Sequence, residues 1–277
     1  MFFGYNTNGF AHHSPESALQ ILSELGYGGV GLTIDHHLLN PYLADLPRSI
    51  LDMQRLMAKY ELRSVIETGA RFLLDPARKH EPTLVTADTA ERRRRVDFLC
   101  RAIDIATELR SDAVSLWSGI VHQSDLTAPA ALDRLVESLK PVIDHAAARN
   151  VMLAFEPEPG MLIDTMDRYA ELAERITAPH FKLTLDIGHL HCLGEVPIDQ
   201  QIVRWQSQLV NVHIEDMKQG VHEHLMFAEG EIDFAPVLRA LRQIDYQFGV
   251  YVELSRHSHM APEAARRAMQ FLTRASE

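Results

Sequence analysis

Four residues of metal-binding type close four short β-forming runs: Glu156 after VMLAF, Asp186 in FKLTLDIGH, His213 in LVNVHIED and Glu253 after FGVYV. Three carboxylates and one imidazole supply hard oxygens and one borderline nitrogen. That donor set suits Mn²⁺, Mg²⁺, Co²⁺ or Zn²⁺, and fits neither a thiolate-rich structural zinc site nor a copper site. A single carboxylate at a strand end is ordinarily solvated. Four donors in corresponding places predict a site for one divalent metal ion at the mouth of a barrel.

The elements that must bring these residues together follow from the alternation of the chain. Runs rich in Val, Ile, Leu, Phe and Thr recur near 2–7, 28–35, 63–68, 112–117, 151–156, 181–186, 209–214 and 248–254. Between them lie amphipathic stretches near 15–25, 47–60, 88–109, 129–149, 165–177, 199–207 and 234–244, with a last one near 261–275. Strand then helix, about eight times over, is the pattern of parallel βαβ units closing into a barrel. The expected class is α/β, a (β/α)8 TIM barrel, with residues 1–277 as a single domain. Ser14 before Pro15 and Glu16 has the form of a helix start, and Asp88 followed by Glu91 has the spacing of a capping box. No Walker sequence occurs, and no nucleotide cofactor is expected. The longest connection, 69–87, follows the third strand on the catalytic face and reads as a lid or as an ordinary exposed excursion. The arginine run Arg92, Arg93, Arg94 and Arg95 reads as a solvated helix face, with a subunit contact or an anionic ligand as the alternatives.

Composition narrows the function classes. The 277 residues carry a net charge of −11, which argues against a nucleic-acid partner, because such proteins normally present a basic surface that releases counterions. No apolar run approaches the roughly 20 residues needed to cross a bilayer, and MFFGYNTNGF has no basic start or apolar core of a signal peptide. The two cysteines, Cys100 in a helical stretch and Cys192 in a loop-like one, have no CxxC spacing. A soluble cytoplasmic protein, with no membrane partner, is therefore expected. The apolar edges of the long helices permit a homo-oligomer without requiring one.

FEPEPG at 155–160, LDIGH at 185–189, NVHIED at 211–216, AEGEIDF at 228–234 and YVELS at 251–255 together resemble the xylose isomerase-like TIM barrel superfamily over nearly the whole chain. That superfamily includes sugar and sugar-phosphate isomerases and epimerases, inosose dehydratase and, distantly, endonuclease IV. The resemblance implies that Glu156, Asp186, His213 and Glu253 hold the metal and that Glu156 and Glu253 are also the catalytic acid and base. The implied reaction is isomerisation or epimerisation of a small polyhydroxylated carbonyl compound through a metal-stabilised enediolate, with manganese among the suitable metals. His189 matches a histidine that contacts sugar oxygens in the isomerases or an additional metal in the nuclease. Glu158, Trp117, Glu67 and Arg256 are further candidates to bind substrate, with a solvated carboxylate, a packing tryptophan and a mutual Glu67–Arg256 ion pair as the plainer alternatives. His222 and His224 fall where endonuclease IV carries ligands of its third zinc. With His189 they offer a second metal site, or they are exposed loop histidines or sugar contacts. The positions matching the nuclease's first-zinc histidines are Glu67 and Trp117, so its trinuclear set is incomplete here. Asp35-His36-His37, after the second strand, places a further histidine pair on the catalytic face.

Three other functions stay open on the sequence alone. A cyclitol or sugar dehydratase would use the same residues to expel a β-hydroxyl. An endonuclease-like hydrolase is opposed by the overall acidity. A non-catalytic barrel that merely binds metal belongs to another class.

Overall fold

The computed structural model describes residues 1–276. Eight parallel strands close a barrel: β1 (Phe2–Asn6), β2 (Gly29–Thr33), β3 (Arg63–Glu67), β4 (Val114–Leu116), β5 (Leu153–Phe155), β6 (Phe181–Asp186), β7 (Leu209–Ile214) and β10 (Gly249–Val252), the last pairing with the first. The helices between them are α1 (Pro15–Glu24), α2 (Leu46–Tyr60), α3 (Thr89–Leu109), α4 (Ala128–Arg149), α5 (Met166–Arg175), α7 (Ile198–Arg204), α8 (Phe234–Gln243) and α9 (Ala261–Ala275). The α/β barrel expected from the alternation is the one observed. Ser14, Asp88, Thr127 and Thr165 cap their helices with side-chain oxygens that accept from backbone N–H groups, as their residue types favour.

Because side chains alternate along a strand, residues two apart face the same way. The barrel interior is therefore written in steps of two. Its lower end is an apolar plug of Val65, Ala113, Ala154, Val210 and Tyr251. Two residues further on come Glu67, Ser115, Glu156 and Glu253, while Thr184 and Asn211 precede Asp186 and His213 by the same step. The plug shuts the barrel below, and the polar positions above it all open towards the C-terminal ends of the strands. Between the partners of Leu183 and Thr184 the register slips by one residue in β7, which lets Val210 join the plug while Asn211 and His213 still point upwards. Gly31 has the opposite role: a methyl there would run into the Asn6 Oδ1 atom that occupies its face of the barrel.

Two features were not expected. A short helix, α6 (Ile187–Cys192), begins directly on Asp186, so Cys192 ends a helix and does not lie in a loop. An antiparallel hairpin of β8 (Asp216–Lys218) and β9 (Val221–Leu225) follows β7, which puts His222 and His224 on a strand.

The arginine run is also corrected. Arg93 and Arg94 are exposed, as a solvated face would be, but three of the four members hold carbonyl oxygens of the long connection after β3. Arg92 donates to Thr86 O and Ala87 O, both at 2.8 Å, and Arg94 donates to Leu74 O. Arg95, only 2 % exposed, donates to Thr68 O, His80 O and Pro82 O at 3.2, 2.6 and 2.7 Å. Its guanidinium also sits 4.9 Å from the centre of the Trp117 ring. Burial draws its pKa down to about 10. The connection it holds buries Ala70, Leu74, Leu84 and Val85, and is a packed wall. Replacing Arg95 by Met is expected to strip three carbonyls of their donors and cost about 3 kcal/mol, at roughly 1 kcal/mol for each. A urea midpoint for Arg95→Met no lower than that of an Arg93→Met control is the contrary result.

Candidate metal and acid–base site

Glu156 and Glu253 are the first residues past β5 and β10, Asp186 is the last of β6, and His213 is the last but one of β7. The barrel brings all four together, with one donor atom from each lying within 4.8 Å of every other. His213 Nδ1 is 2.9 Å from Glu156 Oε1, 3.1 Å from Glu253 Oε2 and 4.0 Å from Asp186 Oδ2. Metal–donor bonds of about 2.1 Å place adjacent ligands about 3 Å apart and opposite ones about 4 Å apart, so these separations suit one ion.

Two further observations support that fit. Asp186 is buried, and its Oδ2 has no hydrogen-bond partner although Oδ1 caps α6 by accepting from His189 N at 2.8 Å. The imidazole of His213 is turned so that Nε2 lies 2.9 Å from Glu67 Oε1, which places Nδ1 towards the other three carboxylates. A carboxylate behind a histidine in this way fixes the tautomer and raises its basicity as a ligand. Glu67 thus stands behind His213, where Asn211 Nδ2 also donates to it at 3.3 Å. It forms no pair with Arg256, whose partner is Glu223. Glu67→Gln is expected to weaken metal binding by 10- to 100-fold. A competition titration with a chromophoric chelator measures this, and an unchanged affinity removes the orienting role.

The electrostatics of the metal-free ring are those of crowded charges. Burial raises the Glu156 carboxyl to about 8 against the opposing pull of His213. Burial works to lower His213, but the facing carboxylates of Glu156, Glu67 and Glu253 outweigh it and hold the imidazole well above its usual range. Burial alone would raise Glu253, yet His213 and His224 bring it below the ordinary value. The sequence reading missed the residues that aim this carboxylate. Asn8 Nδ2 donates to its Oε1 at 2.8 Å and Asn6 Nδ2 to its Oε2 at 3.3 Å. The signal was present as two asparagines two positions apart at the end of the first strand. Glu215 was also missed. It is fully buried with neither oxygen bonded, and burial together with the neighbouring Asp186 charge pushes its carboxyl well up. Gly188 makes room for it, since a methyl there would strike Glu215 Oε1.

The remaining candidates surround the same cavity of about 360 Å³, whose wall includes Trp117, Glu158, His189, His222, His224 and Arg256. His189 Nδ1 donates to Pro157 O at 3.2 Å and His224 Nδ1 to Glu253 O at 3.0 Å, so each turns its Nε2 away from the backbone. His222 Nε2 lies 3.1 Å from His189 Nε2. Glu158 is 3.9 Å from His189 and 3.7 Å from His222. The His189, His222 and His224 donors form a second group capable of holding a cation. Burial keeps His189 neutral by lowering it to about 4. Trp117 packs edge-on against His80 as well as beneath Arg95, and so it is both a packing residue and a part of the cavity wall. Of the pair after β2, His37 lines an adjoining chamber and His36 lies away from the metal-ligand cavity.

The family described as xylose isomerase-like TIM barrel matches residues 19–275. Among curated proteins, the L-ribulose-5-phosphate 3-epimerase UlaE of Shigella flexneri serotype 5b is 26% identical over 230 residues, covering 82% of this chain and 78% of the relative. Among solved structures, a D-tagatose 3-epimerase-like protein superposes with a TM-score of 0.80 at 20% identity, covering 99% of both chains. The IolI protein with a bound zinc atom superposes at 0.78 and 17% identity, covering 100% of this chain and 98% of that one. At these identities the two structural matches speak to fold alone.

Proposed function

The chain belongs to the xylose isomerase-like TIM barrel family, and from that premise we propose that it is a divalent-metal-dependent epimerase or isomerase of a small sugar, sugar phosphate or related polyhydroxy carbonyl compound. The observation that carries this reading is the convergence of two glutamates, one aspartate and one histidine on a single point inside a cavity of about 360 Å³. The epimerase names of the curated relatives support it. Glu156, Asp186, His213 and Glu253 would hold the ion. When bound, a divalent cation polarises a carbonyl and favours negative charge on neighbouring oxygens, which acidifies the adjacent C–H.

The chain's own residues do the rest. Glu156 and Glu253 enter from β5 and β10, with β6 and β7 between them, and so they reach the cavity from different sides. One carboxylate takes the proton from the substrate carbon. The other returns a proton to the opposite face, giving epimerisation, or to the neighbouring carbon, giving aldose–ketose exchange. Asn8 and Asn6 hold Glu253 in place for this. His189, Glu158 and Arg256 offer donors and acceptors to substrate hydroxyls, and Trp117 offers a ring face. Arg71, Lys79 and Arg256 on the cavity wall suit a small neutral or phosphorylated substrate, and the two free cysteines suit a reducing cytoplasm.

Incubation of the metal-loaded protein with a ketose panel in D₂O tests the reading. Incorporation of one deuterium at a substrate carbon is expected. No incorporation with any member of the panel, with metal content verified, overturns it. Product mass separates a second reading: loss of water from the same substrates identifies a dehydratase. The close approach of His222 Nε2 to His189 Nε2 favours one variant, a second ion on His189, His222 and His224. Two equivalents of metal per chain would establish it, and one would exclude it.

A further inference from the structure

A second, smaller chamber adjoins the metal-ligand cavity and has no part in the proton transfers described above. It measures about 100 Å³ against about 360 Å³ for its neighbour. Phe10 and Ala11 from the turn after β1, Ala18 and Leu19 from α1, and Leu38 after β2 give it an apolar wall. The polar residues of that wall are Thr7, whose hydroxyl donates to Gly31 O, His13, whose buried Nδ1 has no partner, and the half-exposed Asp35 and exposed His37. Asn8, Thr33 and Arg71 line both chambers and so form the partition between them.

The partition carries hydrogen-bonding capacity that the protein does not use. Thr33 is 8 % exposed, and its Oγ1 has no partner. Asn8 spends its Nδ2 on Glu253, and its buried Oδ1 is also without a partner. The Arg71 guanidinium makes no hydrogen bond or ion pair among the described residues. Buried polar atoms are nearly always satisfied, so a buried hydroxyl and a buried amide carbonyl left open at one doorway, beside the half-exposed Arg71, mark a place where a ligand oxygen belongs. Beyond the doorway Phe10, Ala18, Leu19 and Leu38 give a mostly apolar lining, which offers few of the two to four polar partners that hold a water molecule.

We propose that the substrate is a polyhydroxy carbonyl compound bearing a short hydrocarbon arm. Its polyol end lies against Glu156 and Glu253, an ether or hydroxyl oxygen sits at the partition, and the arm fills the chamber. This rests on the reading of the larger cavity given above. An engineered apolar cavity of about 150 Å³ accepts benzene, and in proportion this chamber takes roughly four carbons. Arg71 and Thr33 donate to the oxygen at the doorway, and Asn8 accepts where that oxygen carries a proton.

Calorimetric titration of the Mn²⁺-loaded protein with D-tagatose and with its 6-O-propyl ether tests the chamber. Each buried methylene is worth roughly fourfold in affinity, so the ether is expected to bind at least about tenfold more tightly. Ala18→Leu fills the chamber from inside. Ala11→Trp closes it from an exposed position, where the fold is not at stake. Both are expected to abolish the preference while D-tagatose binds within about twofold of its wild-type affinity. An ether bound no better than the parent sugar, or a preference that survives both substitutions, overturns the proposal. Deuterium exchange is read separately. If no sugar exchanges while the ether remains preferred, the epimerase reading fails and the chamber stands.

Discussion

Glu253→Gln is expected to reduce turnover by roughly 10³-fold, within the range that a positioned acid or base contributes. The substitution keeps the size of the side chain and leaves an oxygen to face His213, but it removes the carboxylate proposed to take and return a proton. Asn8 and Asn6 both donate to Glu253, so the wild-type carboxylate is held from the first strand while its Oε2 stays 3.1 Å from His213 Nδ1. The loss should therefore fall on kcat and on deuterium exchange far more than on sugar affinity. Glu156→Gln should behave alike if the two glutamates work as a pair. Near-normal exchange by a folded Glu253→Gln protein removes that residue from the reaction.

Exhaustive chelation is expected to have the second-largest effect, a loss of turnover of 10³-fold or more that is reversed by adding back Mn²⁺ or Co²⁺. The same treatment should lower Tm. A ligand at 100 times its Kd stabilises by about 2.7 kcal/mol, worth about 5–10 °C in a chain of this size. The metal-free ring also keeps three carboxylates of Glu156, Asp186 and Glu253 close to one imidazole, with Asp186 Oδ2 unpartnered. Asp186→Asn relieves part of that crowding. It should therefore narrow the gap in Tm between metal-free and metal-loaded protein while weakening metal binding. Exchange that persists after chelation, with metal content below a few per cent by elemental analysis, contradicts the proposed role of the ion.

The fold was legible because the barrel repeats a simple physical instruction, a β-forming run followed by an amphipathic one. The four candidate ligands stood out because each ends such a run. What failed to show was everything set by contacts between distant strands. Glu67 reads as a strand-end carboxylate, and only the closed barrel puts it behind His213. Asn8 and Glu253 meet because β1 pairs with β10, a closure that leaves no local trace in the chain. The arginine run looked like a wet helix face since charged helical positions usually are. Its actual partners are carbonyl oxygens, which have no letter in a sequence. That His222 and His224 lie on a strand did not show either, because a three-residue strand facing a five-residue one gives too short an alternation to recognise.

The pairing of β10 with β1 also sets the order of events when the chain is made. Glu156, Asp186 and His213 emerge from the ribosome before Glu253, and Glu253 gains its seat only when the last barrel strand docks on the first one synthesised. Until that seam closes, a nascent chain would offer an ion at most three of the four proposed anchors, so tight loading of the proposed metal would fall after translation of the barrel.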